Sequence, residues 1–389
     1  METVYLDHNA TTPVDPRVLD VMLPYFTERF GNPSSPYGLA SVSRAAIDRS
    51  RERVAAAIGA APETIVFTSG GTESDNIALK GVLLGGDLEG AHVVSSAIEH
   101  HAVLFALEYM RERFGVDVTF VPVDGRGLVD PGAVADAMRP GTRLVSIMHA
   151  NNETGMVQPL RKLAAIARER GVLVHTDAVQ SVGKVPVDVD ELGVDLLSMS
   201  AHKFYGPKGV GALYVRPGVA LDPLSHGGRH EGGLRPGTEN TPGIVGLAEA
   251  LDLAAAHLDG ESERLSRMTD RLLEGILERV PDVLVNGARQ HRIPGTLNLA
   301  FRHVEGESIV LSLDMEGFAV STGSACTTDS DEPSHVLSAM GVAPRDAQGS
   351  VRFGLGRSTR DADVDRLLDV LPPIVDRLRS MSPTIGRSR

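Results

Sequence analysis

Five short apolar runs recur along this chain, and each ends in polar residues: TIVFTSGG (64–71), HVVSSAIEH (92–100), LVSIMHANNE (144–153), VLVHTDAVQ (172–180) and VDLLSMSAHK (194–203). The accompanying stretches SRAAIDRSRERVAAAIG, TESDNIALKGVLL, HAVLFALEYMRERFG and LRKLAAIARERG place apolar residues at helical spacing. Continuous apolar strands alternating with amphipathic helices predict an α/β fold, its mainly parallel central sheet covered on both faces. Ligands of such sheets sit beyond the carboxyl ends of the strands. Thr72, His100, Asn152, Asp177 and Lys203, all near strand ends, should therefore collect on one rim.

The pattern changes near residue 255. After LAEALDLAAAHLDGESERLSRMTDRLLEGILERV, read as one long or broken helix, come the short strands VLVNG, GTLNLAF, FAVST and SVRFGLG with further helices. The expectation is a large α/β domain over residues 13–255 and a smaller α+β domain over 256–389, with residues 1–12 packing on the latter. A chain of 389 residues has the length for about two domains. Hydrophobic content of 42% and charged content of 23% are those of a soluble globular protein. METVYLDHNATT has neither a basic start nor an apolar core, and no run approaches a membrane span. A net charge of −13 argues against broad binding to nucleic-acid backbones. The single cysteine, Cys326, excludes an intrachain disulfide and a multi-cysteine zinc site. A cytoplasmic location is expected.

Several motifs could carry chemistry. TSGGTESDN (68–76) sets Gly71 and Thr72 between a strand and a helix, where exposed amides bind phosphate. An ordinary turn capped by Thr72 reads equally well. The motif is not a GxxxxGKS/T phosphate loop, and YGPKGVG and GLGRST read as turns. Asp177 ends one strand and Lys203 the next. A lysine at a buried rim can lose its proton and condense with a carbonyl. Pyridoxal phosphate requires such an amine, a carboxylate for its pyridine nitrogen and a phosphate cradle, and successive strand ends offer all three. The EHH sequence at 99–101 suits a capping or a functional histidine, and Arg352 a carboxylate ligand or a salt bridge. His226 and His230 are separated by glycines that spoil a helical pair, so no metal site is expected. Cys326 lies among Gly, Ser, Thr, Asp, Glu and Pro, loop formers that suggest the exposure reactivity needs, yet a lone cysteine reads equally well as a small buried hydrophobe.

Taken in order, YLDHNATTPVDP, FGNPSSPYG, TSGGTESDN, EHHAV, HANNETGMVQP, HTDAVQSVGK, SAHKFYGPKGVGALYVR, RPGTEN, STGSACT, EPSHVLSAMG and VRFGLGRST resemble the cysteine desulfurases. The likeness is to the NifS/IscS-type group of class V aminotransferase-family, fold-type I pyridoxal-phosphate enzymes. It implies that Lys203 holds the cofactor and Asp177 pairs with its ring nitrogen. Gln180 would bond the ring hydroxyl and His100 stack on the ring. Gly71, Thr72, Ser200 and His202 would bind the phosphate, joined by Thr238 from the partner subunit of a homodimer. Asn152 and Arg352 would hold the substrate carboxylate. Lys203 would remove the Cα proton of L-cysteine, and the Cys326 thiolate would take the substrate sulfur as a persulfide, releasing alanine. His100 would move protons in these steps. The implied partner is a sulfur-acceptor protein of iron–sulfur or other thio-compound assembly. Another class V reaction, by a selenocysteine lyase or an aminotransferase, is the alternative within this fold. A non-catalytic sulfur carrier would need Cys326 but not Lys203.

The segment after Cys326 departs from the family's usual TSGSLEPSH and reads TTDSDEPSH. Asp329 and Asp331 add negative charge that disfavours the Cys326 thiolate. The activity optimum should therefore lie at more alkaline pH than in a variant carrying Asp329→Asn and Asp331→Asn. Coincident pH–rate profiles of the two proteins would refute this.

Overall fold

The computed structural model describes residues 3–322 and 333–381. Its centre is a seven-stranded sheet in the order Ile65–Thr68, Gly211–Val215, Leu196–Ser200, Leu173–Asp177, Thr142–Ser146, His92–Ser96, Asp117–Val121. Gly211–Val215 runs antiparallel to both neighbours, and every other pairing is parallel. Every residue of His92–Ser96 and of Leu196–Ser200 is buried, as expected for strands covered on both faces. Two strands go beyond the five apolar runs. Asp117–Val121 is a half-exposed edge strand, so its hydrophobic signal is weak. Gly211–Val215 follows a glycine-rich turn that masks its start.

The strand–helix alternation places helix Gly71–Leu84 directly after the first strand of the sheet and His101–Phe114 after His92–Ser96. The first has Gly70 as its N-cap and no side-chain cap, so Thr72 lies inside the helix and the capped-turn reading does not hold. The second is capped by His100, whose ring accepts from the Ala102 amide at 3.1 Å, and it ends on Gly115 in the left-handed region at φ 69°.

A second group of strands, Val283–Val285, Thr296–Phe301 and Ser350–Gly354, forms an antiparallel sheet. Val4–Tyr5 pairs in parallel with Phe318–Ala319, and Asp7 bridges to Gly354. One unbroken helix, Thr241–Arg279, joins the two regions. Ile244, Leu247, Leu251 and Ala254 on its first half belong to a core cluster with Ile147, Val174 and Leu197. Leu265, Met268, Leu272 and Ile276 on its second half belong to another, with Leu6, Leu299, Phe318 and Phe353. Among the described residues no helix is long and apolar enough to cross a membrane.

Leu6 is 1% exposed within the second cluster, although it lies almost at the start of the chain. Leu6→Ala should cost about 2–5 kcal/mol of stability, measured by urea unfolding. A loss below about 1 kcal/mol would show that the N-terminal strand is not part of that core.

Candidate active site

The carboxyl ends of the parallel strands open on a cavity of about 320 Å³. Gly71, Thr72, His100, Asn152, Asp177, Gln180, Ser200, His202, Lys203 and Arg352 all line it. These are the residues named above, apart from two. Thr238 is exposed and lies away from the cavity of its own chain. Cys326, with Asp329 and Asp331, lies outside the described residues.

Each side chain is set by a local device. Asp177 ends its strand and turns back, its Oδ1 accepting the Val179 amide at 2.9 Å. Lys203 sits on the single turn Ala201–Lys203 after the next strand and donates from Nζ to the carbonyls of Asn9 and Ala10, each at 2.7 Å. Gln180 Nε2 donates to the same Asn9 carbonyl at 2.9 Å, while its Oε1 accepts from Lys184 Nζ at 3.0 Å. His202 Nδ1 lies 3.0 Å from Thr11 Oγ1. Arg352 is buried and donates to Asp7 Oδ1 at 2.7 Å and to the Asn152 carbonyl at 3.0 Å. At Gly71 a side chain would force Val179 to move, because a Cβ would stand 2.5 Å from Val179 Cγ2.

Burial dominates the electrostatics. It lifts the Asp177 carboxyl to about 6, against the Val179 amide and the Lys203 cation, which favour ionisation. Asp75, one helical turn beyond Gly71, is driven well above the carboxylate range by burial and then by the Asp177 charge. Two such carboxyls in one pocket do not ionise together, which leaves the charge on Asp177 and the proton on Asp75. Burial also lowers His100 to about 4, assisted by Lys203, and His202 to about 4. Both rings are therefore neutral near pH 7. Because His100 Nδ1 accepts from a backbone amide, its proton is on Nε2.

Sequence reasoning missed Asn9, Asp75 and Glu153, all of which line the cavity, and the buried Glu99, which holds the amide of the lining residue Met148. Glu99 Oε1 accepts from Ser96 Oγ at 2.5 Å and from the Met148 amide at 3.0 Å. Glu153 Oε2 accepts from Ser334 Oγ at 2.6 Å. A signal existed for Glu99, an acid set shortly after a fully buried strand, where a solvated residue is not expected.

The cavity fits pyridoxal phosphate. The amides at the start of Gly71–Leu84 face it without an intervening side chain, a buried carboxylate is available for a protonated ring nitrogen, and an amine lies within the same walls. Comparison with known proteins agrees. The family described as "Aminotransferase class-V" matches residues 4–367. The protein named cysteine desulfurase IscS of Dictyoglomus turgidum is 51% identical over 380 residues, covering 98% of this chain and 96% of that one. A solved structure titled NifS-like protein superposes with a TM-score of 0.91 at 38% identity, covering 97% of this chain and all of that one. Another, titled SspA in complex with cysteine, gives 0.80 at 38% identity over 91% and 99% of the two chains. The chain thus belongs to the class V aminotransferase family of pyridoxal-phosphate enzymes and, within it, to the NifS/IscS-type cysteine desulfurases.

Burial holds the Glu99 carboxyl up at about 8, whereas an unfolded glutamate ionises near ~4.3. The folded chain therefore binds the extra proton, and stability should fall as pH rises between those values, then level off. For this group the loss is on the order of a few kcal/mol. Glu99→Gln should flatten the fall in urea midpoint between about pH 5 and 9. An equally steep fall in the variant would mean that Glu99 is ionised in the folded state.

Proposed function

We propose that this protein converts L-cysteine to L-alanine and captures the sulfur on Cys326 as a persulfide for delivery to an acceptor protein. The observation that carries this reading is the convergence of Lys203, Asp177 and the Gly71–Thr72 helix start on one cavity. The solved relative in complex with cysteine supports the substrate class.

When bound, pyridoxal phosphate supplies an electrophilic aldehyde and a ring that delocalises electrons released at the substrate Cα. Lys203 Nζ is the amine that would hold it and the base that takes the Cα proton. The Asp177 carboxylate keeps the ring nitrogen protonated, while Asp75 holds the proton that would otherwise neutralise it. Gly71, Thr72, Ser200 and His202 are assigned to the phosphate, Gln180 to the ring hydroxyl, and Asn152 with Arg352 to the substrate carboxylate. Arg352 is pre-aimed for this by Asp7 and the Asn152 carbonyl. His100 is assigned to the ring face and, with its proton on Nε2, donates to the departing substrate. The Cys326 thiolate attacks the substrate sulfur. As that S–S bond forms, the Cβ–S bond breaks, and its electron pair stays with the carbon that takes up a proton to become alanine's methyl group.

The functional unit in this reading is a homodimer. A second hollow, lined by Thr11, Gly71, Thr72, Ser200 and His202, leaves the phosphate end open on one side, where a partner's Thr238 would complete it. The exposed apolar side chains Leu19, Leu23, Phe26, Phe30 and Tyr37 supply surface for such contact. The reading also takes residues 13–255 as the cofactor domain and 256–389 as the smaller one, in a cytoplasmic protein.

The test is the intact mass of protein loaded with pyridoxal phosphate after brief exposure to L-cysteine without reductant, followed by peptide mapping. One added sulfur on Cys326, absent from Cys326→Ala, is the expected result. An unmodified Cys326 in protein that holds the cofactor would point to another class V reaction.

A further inference from the structure

A second cavity, about 40 Å³, shares Asn9 and Lys203 with the larger one. Its polar walls include His8, Lys184 and Glu261, and its apolar walls Ala254 and Leu265. The His8 ring has a definite hydrogen-bond state. Nδ1 lies 2.9 Å from the Gly354 carbonyl, which can only accept, so Nδ1 carries the proton. Burial lowers the ring to about 4, which leaves it neutral. Nε2 is then a lone-pair acceptor on a residue only 2% exposed, and it has no partner.

An orphaned buried acceptor costs about 1–3 kcal/mol, and folded proteins ordinarily satisfy such groups with ordered water. The space is sufficient, since one water needs roughly 10–15 Å³ measured in this way. The donor side is also present. Lys184 Nζ uses one hydrogen on Gln180 Oε1, and burial, with the Lys203 and Arg352 cations, lowers it to about 7. A lysine poised there gives up and regains a proton readily near neutral pH.

We propose that this cavity holds ordered water between His8 Nε2 and Lys184 Nζ, and that the water and Lys184 carry protons between Lys203 and solvent. The route rests on the desulfurase reading above, in which Lys203 takes the substrate Cα proton while substrate fills the larger cavity. A proton on Lys203 passes to the water as a proton from the water passes to Lys184, and the reverse transfer restores the base. No electrons move, and the proton count of the reaction is unchanged.

Two measurements decide it. A high-resolution crystal structure of the cofactor-free protein should show a water within hydrogen-bond distance of His8 Nε2, and a dry cavity overturns the proposal. The second follows cysteine deuterated at Cα and reads the deuterium kept in the alanine released. The parent enzyme should lose most of it to solvent. Ala254→Leu, which fills the cavity without touching a polar group, and His8→Leu, which removes the acceptor, should each raise the retained fraction at least threefold. Alanine released with unchanged retention by both variants overturns the proton route while leaving the desulfurase reading intact. A parent enzyme that releases no alanine removes that reading and the route with it.

Discussion

Two backbone carbonyls, those of Asn9 and Ala10, hold the Lys203 amine, and the rest of the site is arranged around the segment that supplies them. The same stretch receives Gln180 on the Asn9 carbonyl and His202 at Thr11, and Thr12 Oγ1 donates to the His202 carbonyl. Asn9 Nδ2 also reaches Thr296 Oγ1 at 2.9 Å, in the second sheet. A short turn of chain thus connects Lys203, Gln180, His202 and the second sheet. Such a segment is placed by contacts nearly two hundred residues apart in sequence, each of which carries a loop-closure cost that the surrounding packing must offset.

The polar floor of the cavity is a problem in proton counting. Asp75, Glu99, Glu153 and Asp177 are all shielded from water, and the cations near them, Lys203 and Arg352, are fewer than the carboxyls. Burial resolves this by keeping most of the acids neutral. The charge that remains is on Asp177, where the Val179 amide and Lys203 both favour it. Neutral acids then serve as hydrogen-bond fixtures. Glu153 accepts from Ser334, the cap of helix His335–Ala339, while the backbone carbonyl of Glu99, independent of its acid, lies 2.9 Å from His335 Nε2. The buried environment around Asp177 therefore also secures the start of helix His335–Ala339.

Asp177 and Lys203 were legible in the sequence because each lies at the carboxyl end of an apolar run, and the geometry of a parallel sheet brings successive strand ends together. Gly71 was legible because a glycine pair between strand and helix marks a close approach. Asn9 and Asp7 were not, since nothing local distinguishes an N-terminal asparagine that caps a lysine near residue 200 from one on the surface. Asp75 sits in a helix whose polar residues look solvated until the neighbouring strand's His175 is found 3.5 Å away. Thr238 has no role visible within one chain, and its assignment came from family resemblance. The short strand Phe318–Ala319 was expected as a strand, but its partner, Val4–Tyr5, is too short to announce itself.

The 39-residue helix Thr241–Arg279 contributes its first half to one apolar core and its second half to the other. A rod of roughly 1.5 Å per residue with no interior break offers no inexpensive pivot between the two. Loss of either core strips one face of the rod and leaves half of it without the tertiary contacts on which helices in water depend. The two regions are therefore mechanically one body where cooperativity is concerned, and damage to a leucine in the smaller core is felt at the cofactor cavity as a change in the fraction of molecules folded at all.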